Sequence, residues 1–342
     1  STDGVTADDV RAAMTDPERL KRGMAHQMAF NLDSAGVFCG GTADDGWPVT
    51  VPEYMAFHRD RRDLFGDTRQ AHDVAVYYSE LTRTFNCGTP IVTSLLAHDV
   101  MMRGHVPFGY LLATRRQELG EFRAIVLPQV ECLSDEEAAD IAAFVKGGGG
   151  VLVLGASTGE FDSARQRRKT NVLADALGVD WSGATSSFTT RVAKGRVAFM
   201  PQLLSPDGAP DELVADSMRK TDPHFVLQNT QWRPPLNAGE MLNLLRWAAD
   251  GFTFETTAPD TVVMEFARQT DSGHLLIHLV NFDLDREVGP FEITLRGLDI
   301  AQAEAHTPDG DAPAVATAKS DDGGVTVLAV PGLHRYLVLS LS

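Results

Sequence analysis

The chain has 342 residues, 43% of them apolar, which is material for two or three domains with a core in each. Its formal charge of −17, from 30 basic and 47 acidic side chains, repels phosphate backbones and anionic bilayers, so nucleic acid and membrane surfaces drop out as partners. No run approaches the roughly 18 apolar residues of a membrane-spanning helix.

Residues Ser1 to Asp9 are polar and acidic, with no apolar leader, so no secretory signal is predicted. Cys39, Cys87 and Cys132 are odd in number and far apart. They predict neither a disulfide framework nor a zinc site, and a reducing cytoplasm suits them. No metal and no cofactor are expected.

Thr15-Asp16-Pro17-Glu18 supplies a cap and a first-turn proline, and Leu20, Met24, Met28 and Leu32 recur at helical spacing, which predicts a helix ending near Gly36. Val37 to Cys39 reads as a short strand, Gly40 to Val51 as a loop, and Pro52 as the start of a helix that stops at Gly66. From Asp73 strands and helices alternate. Val74 to Tyr78 is a strand, Ile91 to Val100 a helix face ended by Gly104, and Phe108 to Leu112 a strand. Ile125 to Leu127 is a strand, Ser134 with Glu137 forms a capping box, Gly147 stops that helix, and Val151 to Leu154 is a buried strand. Asn171 to Leu177 and Ala238 to Trp247 read as helices, Arg196 to Met200 as a strand. This order predicts a parallel sheet covered on both faces. After Pro259 the helical period is lost, and short strands at 262–268, 274–282, 291–295, 325–330 and 336–341 predict a β-sandwich.

Gly155-Ala156-Ser157-Thr158-Gly159 matches the G-x-S-x-G of a nucleophile elbow and follows a strand, which makes Ser157 a candidate nucleophile. The acids behind it do not open an apolar helix face, so an ordinary strand-end turn is the reading adopted. Gly147 to Gly150 follow a helix and open a strand, the reverse of a phosphate cradle. Arg165 to Lys169 are expected on a helix, as a solvated face or a subunit contact, with no ligand. His72-Asp73 and His98-Asp99 are adjacent pairs and lack the geometry of a base with its orienting carboxylate. Asp44, Asp45 and Trp47 combine carboxylates with an aromatic, as sugar sites do, and are candidate substrate contacts, although turn acids are the simpler reading.

The segments Ala71 to Ser79, Phe122 to Pro128, Leu133 to Glu137 and Phe144 to Gly148 resemble, in order, the middle domain of family 42 β-galactosidases. The resemblance implies three parts. Residues 1–70 would be a helical remnant of the last barrel unit, 71–254 a doubly wound α/β domain similar to class I glutamine amidotransferases, and 255–342 an antiparallel β-sandwich. A (β/α)₈ barrel takes roughly 200 residues, so the stretch ahead of Asp73 supplies about one of its units. The family's catalytic glutamates have no matching positions, and 155–159 lacks the amidotransferase cysteine. The implied role is the non-catalytic rear of a glycoside hydrolase that completes a sugar site and forms a homo-oligomer such as a trimer, or joins a separate barrel chain. Two alternatives stand beside it. One is a hydrolase using Ser157, the other a sugar-binding protein similar to trehalose-utilisation domains.

Overall fold

The computed structural model describes residues 17–30, 52–210, 212, 233–320 and 324–342, and the chain divides into two compact units, Ser1–Ala71 with Thr253–Ser342, and His72–Phe252. The first unit opens with α1 (Pro17–Phe30), α2 (Pro52–Asp60) and β1 (Thr68–Gln70). Its α2 is shorter than the sequence predicts, because a 3₁₀ turn at Arg62–Leu64 takes over before Gly66. The predicted strand at 37–39 lies outside the described residues.

The second unit runs β2 (Val74–Tyr78), α3 (Glu80–Phe85), α4 (Thr89–Arg103), β3 (Phe108–Leu112), β4 (Ala124–Pro128), α5 (Asp135–Gly147), β5 (Gly150–Leu154), α6 (Val172–Leu177), β6 (Phe188–Val192), β7 (Gly195–Met200) and α7 (Ala238–Ala248). Its sheet has the order β3-β2-β4-β5-β7-β6. Alternate residues of each central strand serve opposite cores. Val74, Val126, Leu152 and Ala198 meet α4 and α7, while Ala75, Ile125, Val151 and Val197 meet α5 and α6. Burial on both faces explains why these strands read as unbroken apolar runs. The predicted capping box is present, with Ser134 Oγ accepting from the Glu137 amide and the Glu137 carboxylate accepting from the Ser134 amide. Gly195 has no room for a side chain, since a Cβ there would lie 1.9 Å from the carbonyl oxygen of Val145.

All pairings in this sheet are parallel except β6 with β7. Val192 pairs with Gly195, so only Ala193 and Lys194 join the two strands. A link that short permits only antiparallel pairing, which corrects the expectation of a parallel sheet throughout.

The first unit resumes with β8 (Phe254–Thr256), β9 (Val262–Gln269), β10 (Leu275–Asn281), β11 (Phe291–Arg296), β12 (Ala303–His306), β13 (Ala316–Lys319), β14 (Val325–Val330) and β15 (Tyr336–Leu341). They form two antiparallel sheets, β1-β9-β10-β15-β12 and β13-β14-β11-β8. Phe266, Ile277 and Leu339 of one meet Phe254, Ile293 and Leu328 of the other in a shared core, with the Phe254 and Phe266 rings stacked 4.1 Å apart. The opposite face of the five-stranded sheet is covered as well. Met24 and Met28 of α1, Tyr54 of α2 and Phe65 pack on Ala267, Leu276, Val280 and Val338. Among the described residues no helix is long and apolar enough to cross a membrane.

Candidate functional site

In the α/β unit β2 has β3 on one side and β4 on the other, so the chain reverses its winding between the carboxyl ends of β2 and β4. Open α/β sheets leave a ligand crevice at such a point. Here it is filled from within. Ser79 caps α3 by accepting from the Thr82 amide at 3.1 Å, and its hydroxyl donates to the Cys132 carbonyl at 3.3 Å. Thr82 Oγ1 accepts from the Cys132 amide at 3.0 Å. Gln129, directly after β4, holds a φ of 48°, left-handed geometry that is unusual for a residue with a side chain. That conformation sends its Nε2 to Glu131 Oε1 at 3.2 Å.

Glu131 is 5% exposed and is the centre of the network. Asn86 Nδ2 donates to both of its oxygens at 3.2 Å, and Arg165 Nη1 closes the set as an ion pair. A buried carboxylate needs such partners, because leaving it unpaired costs far more than each bond contributes. The void left between Tyr78, Ser79, Arg83 and Pro128 is about 20 Å³, room for one water.

The loop after β5 is zipped onto the loop after β4. Gly159 N donates to Val130 O at 2.9 Å, Phe161 N to Glu131 O at 3.0 Å, and Leu133 N to Phe161 O at 3.0 Å. Arg165 lies over the Phe161 ring at 4.1 Å while it pairs with Glu131. The basic run therefore does not lie on a helix, contrary to expectation. Arg165 has a φ of 62°, and α6 starts only at Val172. Arg167 pairs with Glu160 at 2.8 Å and Arg168 with Asp135 at 2.7 Å. Replacing Arg165 with alanine should loosen this closure by about 1–3 kcal/mol, the usual cost of stripping a buried charge of one partner. Trypsin cleavage after Arg167 and Arg168 should then speed up about tenfold or more under native conditions. An unchanged rate would mean that the backbone pairs alone hold the loop.

Ser157 is half-buried in this same loop, in a turn whose Ser157 carbonyl accepts from the Glu160 amide at 3.1 Å. The positive φ values of the motif fall on Gly155 and Gly159. His98 lies elsewhere in the unit, bonded to Ser94 at 3.4 Å and Tyr110 at 3.5 Å, and Asp99 pairs with Arg103 at 2.9 Å. Asp44, Asp45 and Trp47 lie outside the described residues.

The β-rich unit holds a second polar cluster that the sequence did not announce. Arg335 bonds both oxygens of Glu18 at 2.5 and 2.6 Å and Asp309 Oδ1 at 2.9 Å, and the Tyr54 hydroxyl donates to the same Asp309 oxygen at 2.8 Å. Arg22 of α1 adds bonds to the carbonyls of Asn281 at 2.9 Å and Asp283 at 2.7 Å. The Arg335 hydrogen bond holds Glu18 below the usual carboxylate range. Burial, then the Asp309 charge, raises the Tyr54 phenol. These groups tie the helices to the sheet, and their pairing offsets the cost of burying charge, although Arg22 Nη1 is buried without a hydrogen-bond partner. Nearby, the wholly buried His278 bonds the Tyr336 hydroxyl through Nδ1 at 2.8 Å. Among the described residues no group of three or more His, Cys, Asp or Glu side chains is placed to hold a metal ion.

No family model and no curated protein matches the chain. Solved structures do. An α-L-fucosidase isoenzyme 2 from Paenibacillus thiaminolyticus is 14% identical with a TM-score of 0.57, the match covering 95% of this chain and 57% of that one. A catalytic mutant of a family 42 β-galactosidase from G. stearothermophilus is 11% identical, TM-score 0.50, covering 90% and 46%. A β-galactosidase from Bacillus circulans sp. alkalophilus is 11% identical, TM-score 0.52, covering 86% and 44%. At these identities the likeness is one of fold. The chain spans about half the length of the structures it matches, so it resembles part of a family 42 β-galactosidase-like protein.

Proposed function

We propose that this chain is the non-catalytic rear portion of a glycoside-hydrolase-like, β-galactosidase-like protein, acting in subunit assembly and in completing a sugar site. In this reading residues 71–254 are a domain similar to class I glutamine amidotransferases, 255–342 a β-sandwich, and 1–70 the remnant of a last barrel unit, with the Asp44 to Trp47 loop as its substrate contact. Cytoplasmic residence is part of the same reading, and it suits the unpaired thiols of Cys87 and Cys132.

The observation that carries it is the asymmetry of the fold match, which takes in 86–95% of this chain and 44–57% of the glycosidases. The closed switch-point crevice adds support, since Glu131 and Arg165 occupy the place a ligand would take. Assembly has a surface to use. The edge strand β3 carries no charge and exposes Tyr110 and Leu112, while Phe85 is exposed and Arg83 lies 4.6 Å over the Tyr78 ring. Uncharged edges and Tyr–Arg patches are the composition of interfaces.

The purified chain is expected to sediment as an oligomer and to leave aryl galactosides and other aryl glycosides intact. Turnover abolished by a single carboxylate substitution would overturn the reading, and so would fluorophosphonate labelling of Ser157.

A further inference from the structure

A groove of about 550 Å³ lies beside the carboxyl end of β5, between the loop that follows it and α6. Sites for small ligands typically span about 300–1,000 Å³. Its walls carry Arg167, Arg168 and Lys169 against Glu160, Asp175 and Asp180. Arg167 pairs with Glu160 at 2.8 Å, so cations and carboxylates are interspersed along the groove.

The groove has spare hydrogen-bonding capacity. Lys169 has no partner among the described residues. The hydrogen bonds of Ser182 hold Asp180 below the usual carboxylate range, so it faces the groove as an acceptor at neutral pH. With both signs interspersed, a net anion meets carboxylates and a net cation meets guanidinium or ammonium groups along this wall. A neutral ligand with many hydroxyls is repelled by neither, because each hydroxyl donates to a carboxylate and accepts from a guanidinium or ammonium.

We propose that this groove binds a neutral saccharide of one or two rings. The proposal rests on the glycoside-hydrolase-like reading only for the choice of sugar among neutral polyols. Ala156, Ala174 and Val179 also line the groove, and their methyl groups report occupancy.

The test is a titration of the whole chain, labelled at its alanine and valine methyls, with lactose. Saturable shifts of the methyls of these three residues are expected, with a Kd of about 1 mM. Lys169→Met and Asp180→Asn should each weaken binding about tenfold while leaving the circular dichroism spectrum unchanged. Gluconate and glucosamine, which carry net charge on a similar hydroxyl array, should shift the methyls more weakly than lactose. The assignment falls if these methyls stay still up to about 100 mM lactose, if shifts persist undiminished in both variants, or if gluconate binds more tightly. Sedimentation reads the assembly proposal independently, so loss of one leaves the other standing.

Discussion

Arg335→Met is expected to destabilise the β-rich unit by about 3–5 kcal/mol. The side chain of Asp309 is 4% exposed and that of Arg335 12%. Removing the guanidinium leaves a buried carboxylate whose remaining side-chain donor is the Tyr54 hydroxyl. It also releases Glu18, one of the ties between α1 and the sheet. Burial works against the charged form of Arg335, but its bonds to Glu18 and Asp309 outweigh that and raise its pKa, the mark of a pair that favours both charges. The measurement is the urea midpoint followed by far-ultraviolet circular dichroism. Adding Asp309→Asn should recover much of the loss, because the uncompensated charge then disappears. A loss under about 1 kcal/mol for Arg335→Met would show that the cluster is solvated in solution.

Acidification to pH 5 should cost the same unit about 2 kcal/mol, well before its carboxylates titrate. Burial pushes the His278 imidazole down to about 3, whereas in the unfolded chain it titrates near 6.5. Above pH 6.5 both states are neutral and stability is at its full value. As pH falls from 6.5 towards 3 only the unfolded chain takes up the proton, so stability declines by about 1.4 kcal/mol per pH unit. Glu18 is held below its ordinary value of 4.5, so it keeps its full contribution at pH 5 and loses it only as pH falls further. His98 acts likewise in the α/β unit, where burial, then the Arg83 charge, lowers it to about 4. His278→Gln keeps a hydrogen-bonding group for Tyr336 and removes the titration. Its urea midpoint should therefore change less between pH 6.5 and 5 than that of the parent chain. Equal slopes would mean that His278 meets water in solution.

The α/β unit was legible wherever the signal was local. Strands buried on both faces are apolar throughout, and helix ends carry their caps in adjacent residues, as Ser134 with Glu137 and Gly104 after α4 show. The hairpin of β6 and β7 was not legible. Phe188 to Val192 is half polar, and its turn uses Ala193 at a φ of 51° where glycine or asparagine would have signalled it. The basic run was read as helical for a related reason, because nothing in the sequence marks Arg165 as left-handed.

Neither polar cluster was visible beforehand. Glu131 draws its partners from positions 86, 129 and 165, and Arg335 meets Glu18 across 317 positions. Such pairings depend on the fold and leave no spacing behind. The loop holding Asp44, Asp45 and Trp47 was singled out by composition, which says what a side chain can bond and nothing of where it stands.

The α/β unit is inserted between β1 and β8, and this orders events during synthesis. Thr68 to Gln70 align with Ala267 to Gln269, and Thr270 bonds Asp67 across 203 positions. A nascent chain leaving the ribosome can complete residues 72–252 while β1 still waits for its neighbour. Until β9 emerges, α1 and α2 have no sheet to cover, and Met24, Met28 and Phe65 stay open to water. Chaperones that grip apolar helices have their opportunity in that interval, which closes once β9 and β10 have emerged.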